Sequence, residues 1–235
     1  MTAAASPSRA AVARFRTVCF ACRKAAAPSF TAFCSDCGAM TDVAYDLSRV
    51  EVRESDDPYL RFRDLLPVDD VRLLPERTLP TPTLHAAKLG DVLGLPWLHL
   101  KDETKDPTGT TKDRMAAVAL AYLQECGVRG FCTSSTGNSS TAFAHAIERT
   151  PALTMYLFTA EQFRDRVHAR ASERVVHFLL RDASFVDAAQ AAADFAREHG
   201  LVAEQGFFNP GRREGLKLAW LEAVDQVTRP IDRYV

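Results

Sequence analysis

The sequence predicts an α/β protein built on a parallel sheet and preceded by a small cysteine-rich ribbon. Three observations carry this. From Gly130 onward, apolar β-type runs alternate with helical patterns, the rhythm of a parallel sheet with crossover helices. Upstream, the apolar run Leu95–Leu100 leads into a polar stretch, Lys101 to Arg114, and then into helix formers from Met115 to Leu123. Near the N-terminus, two C-x2-C pairs lie eleven residues apart.

Composition sets the outer limits. The 235 residues suffice for one large or two modest domains, and 47% hydrophobic content is ordinary for a globular core. A net charge of −1 gives no electrostatic reason to expect nucleic acid or a membrane surface. No apolar run approaches the ~20 residues that span a bilayer. The expectation is a soluble, cytoplasmic protein. Residues 1–16 carry Arg9, Arg14 and Arg16 and no acid; they read as a disordered basic tail, with a faint likeness to a transit peptide.

Residues 17–50 read as a zinc ribbon. Cys19 with Cys22, and Cys34 with Cys37, each place two thiolates on one tight turn, and two such turns complete a tetrahedral S4 site for structural Zn2+. Gly38 suits the turn after the last cysteine. Disulfides would need a secretory signal, and a redox C-x-x-C would need only one pair. Cys126 and Cys132 stand alone in apolar surroundings and read as inert core residues.

The next segment, Leu60-Arg-Phe-Arg-Asp-Leu-Leu-Pro67, reads as a short amphipathic helix stopped by proline, its arginines on a solvated face. A helix from about His85 to Leu93 follows, with Leu89, Val92 and Leu93 on its apolar face. Pro107 and Gly109 then break regular structure, so that the stretch K-D-E-T-K-D-P-T-G-T-T-K-D-R reads as strand, tight turn and helix. Lys112 falls near the helix start, where cations are disfavoured. It is either an exposed charge or a reactive amine whose ammonium form is disfavoured.

The helix Asp113 to Cys126 is apolar nearly all round and reads as buried, with Gly127 as its C-terminal cap. A strand over Gly130–Thr133 delivers Ser134-Ser-Thr-Gly-Asn-Ser-Ser-Thr141, followed by an Ala-rich helix to Ile147. Hydroxyls and free N–H groups at a helix start make an anion site, although the same residues serve as ordinary N-caps. Strands at Leu153–Phe158 and Val175–Leu180 alternate with helices at 161–172 and 185–199, and a last helix begins near Asn209. His168, His177 and His199 occur singly and read as surface or satisfied core residues.

The stretch Asp106-Pro-Thr-Gly-Thr-Thr-Lys-Asp-Arg114 resembles the N-P-T-G-S-F-K-D-R motif of threonine synthases and related pyridoxal-phosphate enzymes of the tryptophan-synthase β fold (fold type II). The resemblance implies that Lys112 is the catalytic lysine and holds pyridoxal 5'-phosphate covalently. Asp106 replaces the usual Asn, and Thr111 the usual aromatic. Ser-Thr-Gly-Asn-Ser-Ser, residues 135–140, is similar to the family's S-T-G-N-T-S loop. By that likeness Asn138 bonds the cofactor's phenolic oxygen, while Ser135, Thr136, Gly137, Ser139 and Ser140 hold the carboxylate of an amino-acid substrate. Four further segments are similar to the family: the Cys19–Cys37 ribbon, Leu60–Pro67, Asp187 at a helix start, and Asn209-Pro-Gly-Arg-Arg-Glu-Gly-Leu-Lys217. Thr81-Pro82 match part of a G-E-G-x-T-P-L loop whose glycines are replaced around Glu76 and Arg77.

The implied architecture is a partial tryptophan-synthase-β-like fold behind the ribbon. Residues 51–127 start a large cofactor domain, 128–207 form a small mobile one, and 208–235 return to the first. Family members continue into a glycine-rich cup for the cofactor phosphate, and no G-G-x-G-x loop follows Lys112 here. The expectation is a truncated chain, a split enzyme or a degenerate homologue, with little or no turnover by itself and found as an oligomer or with a complementary chain. The implied activity is elimination of phosphate or a similar group from an amino acid, followed by addition of water or another nucleophile. The rivals are a β-replacement synthase of the cysteate or diaminopropionate type and a non-catalytic binding module.

Overall fold

A computed structural model of the chain describes residues 14–26, 29–74, 80–150, 152–204 and 206–234. Most of the expected tail, residues 1–13, lies outside them, as do Glu76 and Arg77. The described chain opens on a small antiparallel sheet of β1 (Phe15–Cys19), β2 (Ala25–Ala26) and β3 (Thr41–Tyr45), in the order β2-β1-β3. Phe15, Thr17 and Cys19 alternate inward along β1, as period-two geometry requires. Arg14 anchors the start of β1 by ion pairs to Asp64 and Asp69.

The segment after the ribbon differs from the expected helix over 60–67. The helix α1 spans Pro58–Arg61, with Asp57 as N-cap and Pro58 in its first turn, and Arg63–Leu65 form a separate 3-10 turn. The Asp57-Pro58 pair is a stronger start signal than the apolar periodicity. Asp64 is buried and accepts bonds from Arg14, Arg53 and the Glu51 N–H, which holds the chain out of a continuous helix. Arg61 forks onto Asp225 rather than standing free in solvent.

β4 (Thr83–His85), α2 (Ala87–Leu93) and β5 (His99–Lys101) form the next unit, with β4 antiparallel to β5 and Leu84 opposite Leu100. His85 therefore belongs to a strand, and Leu95 to Leu98 form the turn into β5 rather than strand. The apolar face predicted for α2 is not buried: Val92 is 82% exposed, and Leu89 and Leu93 also face solvent. What packs inward is Gly90, so close to the Leu95 carbonyl that no side chain fits. The backbone contact thus sets the helix orientation, against the hydrophobic pattern.

Helix α3 (Lys112–Glu125) is the buried axis of the molecule, with every residue from Asp113 to Leu123 out of solvent. Beyond it come β6 (Gly130–Ser134), α4 (Asn138–Ile147), β7 (Thr154–Ala160), β8 (Val175–Leu180), α5 (Phe185–Glu198), β9 (Val202–Ala203) and α6 (Pro210–Gln226). The four strands make an all-parallel sheet in the order β8-β7-β6-β9. Val175–Leu180 forms over the expected residues, and Ser184 and Asp187 close a capping box at the start of α5. The helix expected over 161–172 is only a 3-10 turn, Glu161–Arg166. Arg166, Arg170 and Arg174 stand at i, i+4 spacing, where like charges oppose a helix. Thr141 also pins the segment by accepting from the His168 N–H.

The isolated histidines and cysteines are satisfied or exposed. His177 bonds Thr159, with burial lowering its pKa, His199 packs on Phe195, and His168 is exposed. Burial pushes the thiols of Cys126 and Cys132 up to about 11, which leaves them protonated and unreactive at neutral pH.

Helix α6 lies directly on α3. An added Cβ at Gly211 would stand 2.8 Å from Ala119 Cα, and one at Gly215 would stand 2.5 Å from the Arg114 carbonyl oxygen and 2.9 Å from Met115 Cα. Both obstacles are backbone, so the helices would have to separate. Gly215→Ala is expected to cost about 1–3 kcal/mol by overpacking, measured by urea unfolding, whereas Ala at the exposed Gly38 turn would act through backbone strain alone.

Candidate active site

The turn between β5 and α3 is closed from within. Asp102 caps a 3-10 turn, Glu103–Lys105, and the Gly109 N–H donates to the Asp106 carbonyl with Gly109 at φ +75°. Asp113 reaches back and accepts from both the N–H and the hydroxyl of Thr108, each at 2.8 Å. Lys112 begins α3, its N–H donating to Thr110 Oγ1. Its side chain is half-buried, and among the described residues the amine has no hydrogen bond or ion pair. That leaves the amine available for chemistry.

Arg114, two residues further on, does the opposite. Its guanidinium is fully buried and donates to Glu103 Oε2 at 2.7 Å, to Glu222 Oε1 at 2.5 Å and to Thr81 Oγ1 at 2.6 Å. Lys101 Nζ adds a 2.7 Å ion pair to Glu222, and Asp106 lies 3.7 Å from Arg114. Burial works against the Arg114 charge, but the bonds to Glu222 and Glu103 outweigh it and raise its pKa. Burial also lowers the pKa of Lys101, against the pull of Glu222. The sequence reading singled out none of Lys101, Glu103 or Glu222 as site residues. One signal was available: an arginine in a helix apolar on every side must be paired. Its partner Glu222, on a distant helix, left no local trace.

The loop Ser135–Ser140 connects β6 to α4. Ser135 Oγ accepts from the Gly137 N–H at 3.3 Å and the Ser140 N–H at 3.2 Å, and Ser140 Oγ donates to the Gly137 carbonyl at 2.7 Å. Ser140 is buried and spends its hydroxyl and N–H on bracing the loop. Asn138 is exposed at the helix start, and Thr136 and Ser139 are half-buried. The first N–H groups of α4 lack intrahelical acceptors, as at any helix start. Gly137 admits the Arg166 backbone, whose carbonyl oxygen would stand 3.3 Å from an added Cβ.

The two helix starts meet. Met115, one turn into α3, has its sulfur 4.0 Å from Ser139 Oγ and 3.5 Å from an Arg212 nitrogen of α6. The chain runs from β6 outward to β7 and β8, then returns to β9 on the other side of β6. Such a reversal opens a crevice beyond the C-terminal strand ends, where ligands bind in α/β sheets. Glu204 lies there, fully buried, accepting from Thr133, Asn209 and the Gly206 N–H and ion-paired to Arg212. Asn209 also caps α6. The Asn209–Lys217 segment is thus built into both the crevice and the helix packing.

At the ribbon, the sulfurs of Cys19, Cys22, Cys34 and Cys37 all lie within 4.8 Å of one another. Cys19 and Cys37 are 3.4 Å apart and Cys22 and Cys34 3.8 Å. Thiolates about 2.3 Å from a zinc ion stand about 3.8 Å apart in a tetrahedron. The Cys22 N–H holds the Cys19 thiol down to about 6, while Cys22, despite an opposing bond from the Lys24 N–H, is pushed up to about 12 by its sulfur neighbours. Only a cation lets all the thiols ionise together. The donor set fits a metal.

A family model described as "Pyridoxal-phosphate dependent enzyme" matches residues 75–235, which include the Lys112 turn and the Ser135–Ser140 loop. The chain belongs to the pyridoxal-phosphate-dependent enzymes. It is 26% identical over 217 residues to the threonine synthase of Methanocaldococcus jannaschii, covering 89% of this chain and 53% of that protein. It is 31% identical over 168 residues to the threonine synthase of Mycobacterium leprae, covering 70% of this chain and 46% of that one. The chain spans about half the length of these curated relatives. Among solved structures, it is similar to diaminopropionate ammonia lyase from Escherichia coli, with TM-score 0.55, 20% identity, and coverage of 66% of this chain and 45% of that one. It is also similar to threonine deaminase isoform 2 from Solanum lycopersicum, with TM-score 0.52, 24% identity, and coverage of 63% and 40%. The fold is the fold-type II, tryptophan-synthase-β-like fold that the motifs implied, over part of those chains.

The charged cluster around the turn has a pH signature. Burial would raise the Glu103 pKa, but the bonds from Arg114 and Thr81 prevail and hold it below the ordinary carboxylate value. Its contribution to stability is therefore complete above the ordinary carboxylate range and is lost as pH falls through the depressed folded pKa. Urea unfolding at successively lower pH is expected to show a steeper acid loss in the natural chain than in Glu103→Gln.

Proposed function

We propose that this chain carries the catalytic lysine and the substrate-carboxylate loop of a pyridoxal-phosphate-dependent amino-acid lyase of the threonine synthase type. The observation that carries the reading is the unpaired amine of Lys112 at the start of α3, a helix whose Met115 touches the Ser139 turn of α4. In this reading Lys112 would hold the cofactor covalently through Nζ, and its free amine would serve as the base for the proton on the substrate Cα. Bound pyridoxal phosphate supplies an electron sink for the charge left on that carbon. Asn138 donates to the cofactor's phenolic oxygen. The N–H groups at the start of α4, with Ser135, Thr136, Gly137, Ser139 and Ser140 shaping the loop, receive the substrate carboxylate. The reaction class this would serve is loss of a leaving group from the β or γ carbon of an amino acid, with addition of water or another nucleophile.

Threonine formation from O-phosphohomoserine is the first reaction to test, because the relatives at 26% and 31% identity are threonine synthases. One feature favours the β-replacement alternative of the cysteate or diaminopropionate type. The Arg212 guanidinium beside Met115 is already neutralised by Glu204, and so offers less to a phosphate leaving group. The ribbon is assigned a structural Zn2+ at Cys19, Cys22, Cys34 and Cys37, supported by the sulfur spacing. Free thiols there fit a reducing compartment such as the cytoplasm; no helix among the described residues is long and apolar enough to cross a membrane.

The reading includes association with a second copy or a complementary chain. Its support is the exposed apolar surface of Leu84, Val92, Leu93, Leu95, Trp97 and Leu100 around the two-stranded β4–β5 sheet. It also takes residues 128–207 as the smaller mobile domain. Its support is the core of its own that Phe158, Ala188, Ala192 and Ala196 form between the sheet and α5.

Borohydride reduction with pyridoxal phosphate, followed by peptide mapping, should label Lys112, and Lys112→Ala should abolish both the label and the visible absorbance band. Label on Lys101 or Lys105 instead, or no band with or without candidate partner chains, would favour the non-catalytic module. Metal analysis of chain purified without chelator should find about one zinc per chain, the capacity of one four-thiolate site. Cys22→Ser should lower that content sharply; a metal-free natural chain would refute the ribbon assignment.

A further inference from the structure

We propose that Glu222 is a positioning residue for Lys112, holding the cofactor lysine's turn in place from the far end of α6. The proposal rests on the functional reading above for the role of Lys112, but its geometry stands apart from that reading. Glu222 is 2% exposed and lies outside the motifs that resemble the family, five residues past the Asn209–Lys217 segment. Its two carboxylate oxygens accept from Arg114 at 2.5 and 2.7 Å and from the Thr81 N–H at 3.2 Å, and pair with Lys101 at 2.7 Å. Those partners stand on both sides of the lysine. Lys101 ends β5 before the turn, Arg114 follows Lys112 in α3, and Thr81 precedes β4.

The turn is thus gripped at entry and exit by one carboxylate from another element. Glu103, inside the turn, closes the ring by bonding Arg114 at 2.7 and 3.0 Å and Thr81 at 2.6 Å. Buried ion pairs of this kind contribute little net stability against an apolar replacement, so their use points to geometric definition. The side chain that the ring leaves out is Lys112, which has no partner of its own among the described residues. An amine on a long flexible stem reaches a fixed carbon reproducibly only if its backbone is fixed. A displacement of about 1 Å can cost as much as about 100-fold in rate. Lys101 is held on the same carboxylate, which also keeps this second amine from competing for the cofactor.

The test uses the full chain, Glu222→Gln and Asp225→Asn, the last a control that loses an ion pair to Arg61 on the same helix. Hydrogen–deuterium exchange reads the turn directly, and the rate of borohydride-trappable pyridoxal phosphate at Lys112 reads its positioning, with thermal melts on the same samples. Glu222→Gln is expected to speed exchange in the Asp102–Asp113 peptides and to slow trapping at Lys112 about 10-fold or more. Labelling of the surface Lys24 should not change, and Asp225→Asn should behave as the natural chain. Should Glu222→Gln fail to fold, Glu103→Gln, at the partly exposed edge of the ring, is expected to give the same pair of changes. A folded variant with unchanged turn exchange, or with faster exchange but unchanged trapping at Lys112, overturns the proposal. A natural chain that carries no label at Lys112 overturns the functional reading instead. The exchange measurement then still decides whether Glu222 holds the turn.

Discussion

The buried charge cluster at Arg114 is the constraint on which the rest of the structure depends. A guanidinium without solvent is tolerable only when carboxylates and hydrogen-bond acceptors surround it. Here they arrive from Thr81 before β4, Glu103 in the turn and Glu222 on α6. Satisfying that one side chain brings together segments more than a hundred positions apart in sequence. The planar fork of arginine suits this, since a lysine would bring a single charged nitrogen and could not serve these directions together. Lys112 lies between the arms of the same arrangement and takes no part in it.

Helix α6 carries most of the long-range connections. Asn209 caps it and bonds Glu204, Arg212 pairs with Glu204 beside Met115, and Arg213 donates to the Thr41 carbonyl of the ribbon. Glu214 accepts from Tyr45 of the ribbon and pairs with Lys217, Gly215 permits contact with the α3 backbone, and Glu222 holds Arg114. Tyr122 of α3 adds a bond to the Ser29 carbonyl, with Phe15 and Phe30 packed on its ring. The ribbon is therefore seated on the same two helices that carry Lys112, Arg114 and Glu222. This gives the four-cysteine cluster a mechanical connection to the site.

Parallel strands bury both faces and expose their loops at one edge, and the reversal between β6 and β9 places the crevice beside the Ser135–Ser140 loop. Ser135 and Ser140 brace the loop at the α4 start from within. The hydroxyls divide the work: buried Ser140 maintains shape, whereas Asn138 and Ser139 face outward or half outward.

The sequence by itself determined the parallel α/β rhythm, the cysteine cluster, the buried α3 and the positions of Lys112 and the Ser135–Ser140 loop. Those features are local: periodicity, capping residues, glycine turns and paired cysteines act within a few positions of the chain. Val175–Leu180 and the Asp187 cap were legible for that reason. The outward face of α2, the division of 60–67 into two turns and the loss of helix over 161–172 were decided by tertiary structure. There, Gly90 against the Leu95 carbonyl, Asp64 against its arginines and Thr141 against the His168 N–H override the local pattern. Most of all, only the fold could pair Arg114 with Glu222, because the free energy of burying a charge depends on which distant group meets it. No local signal in the chain carries that information.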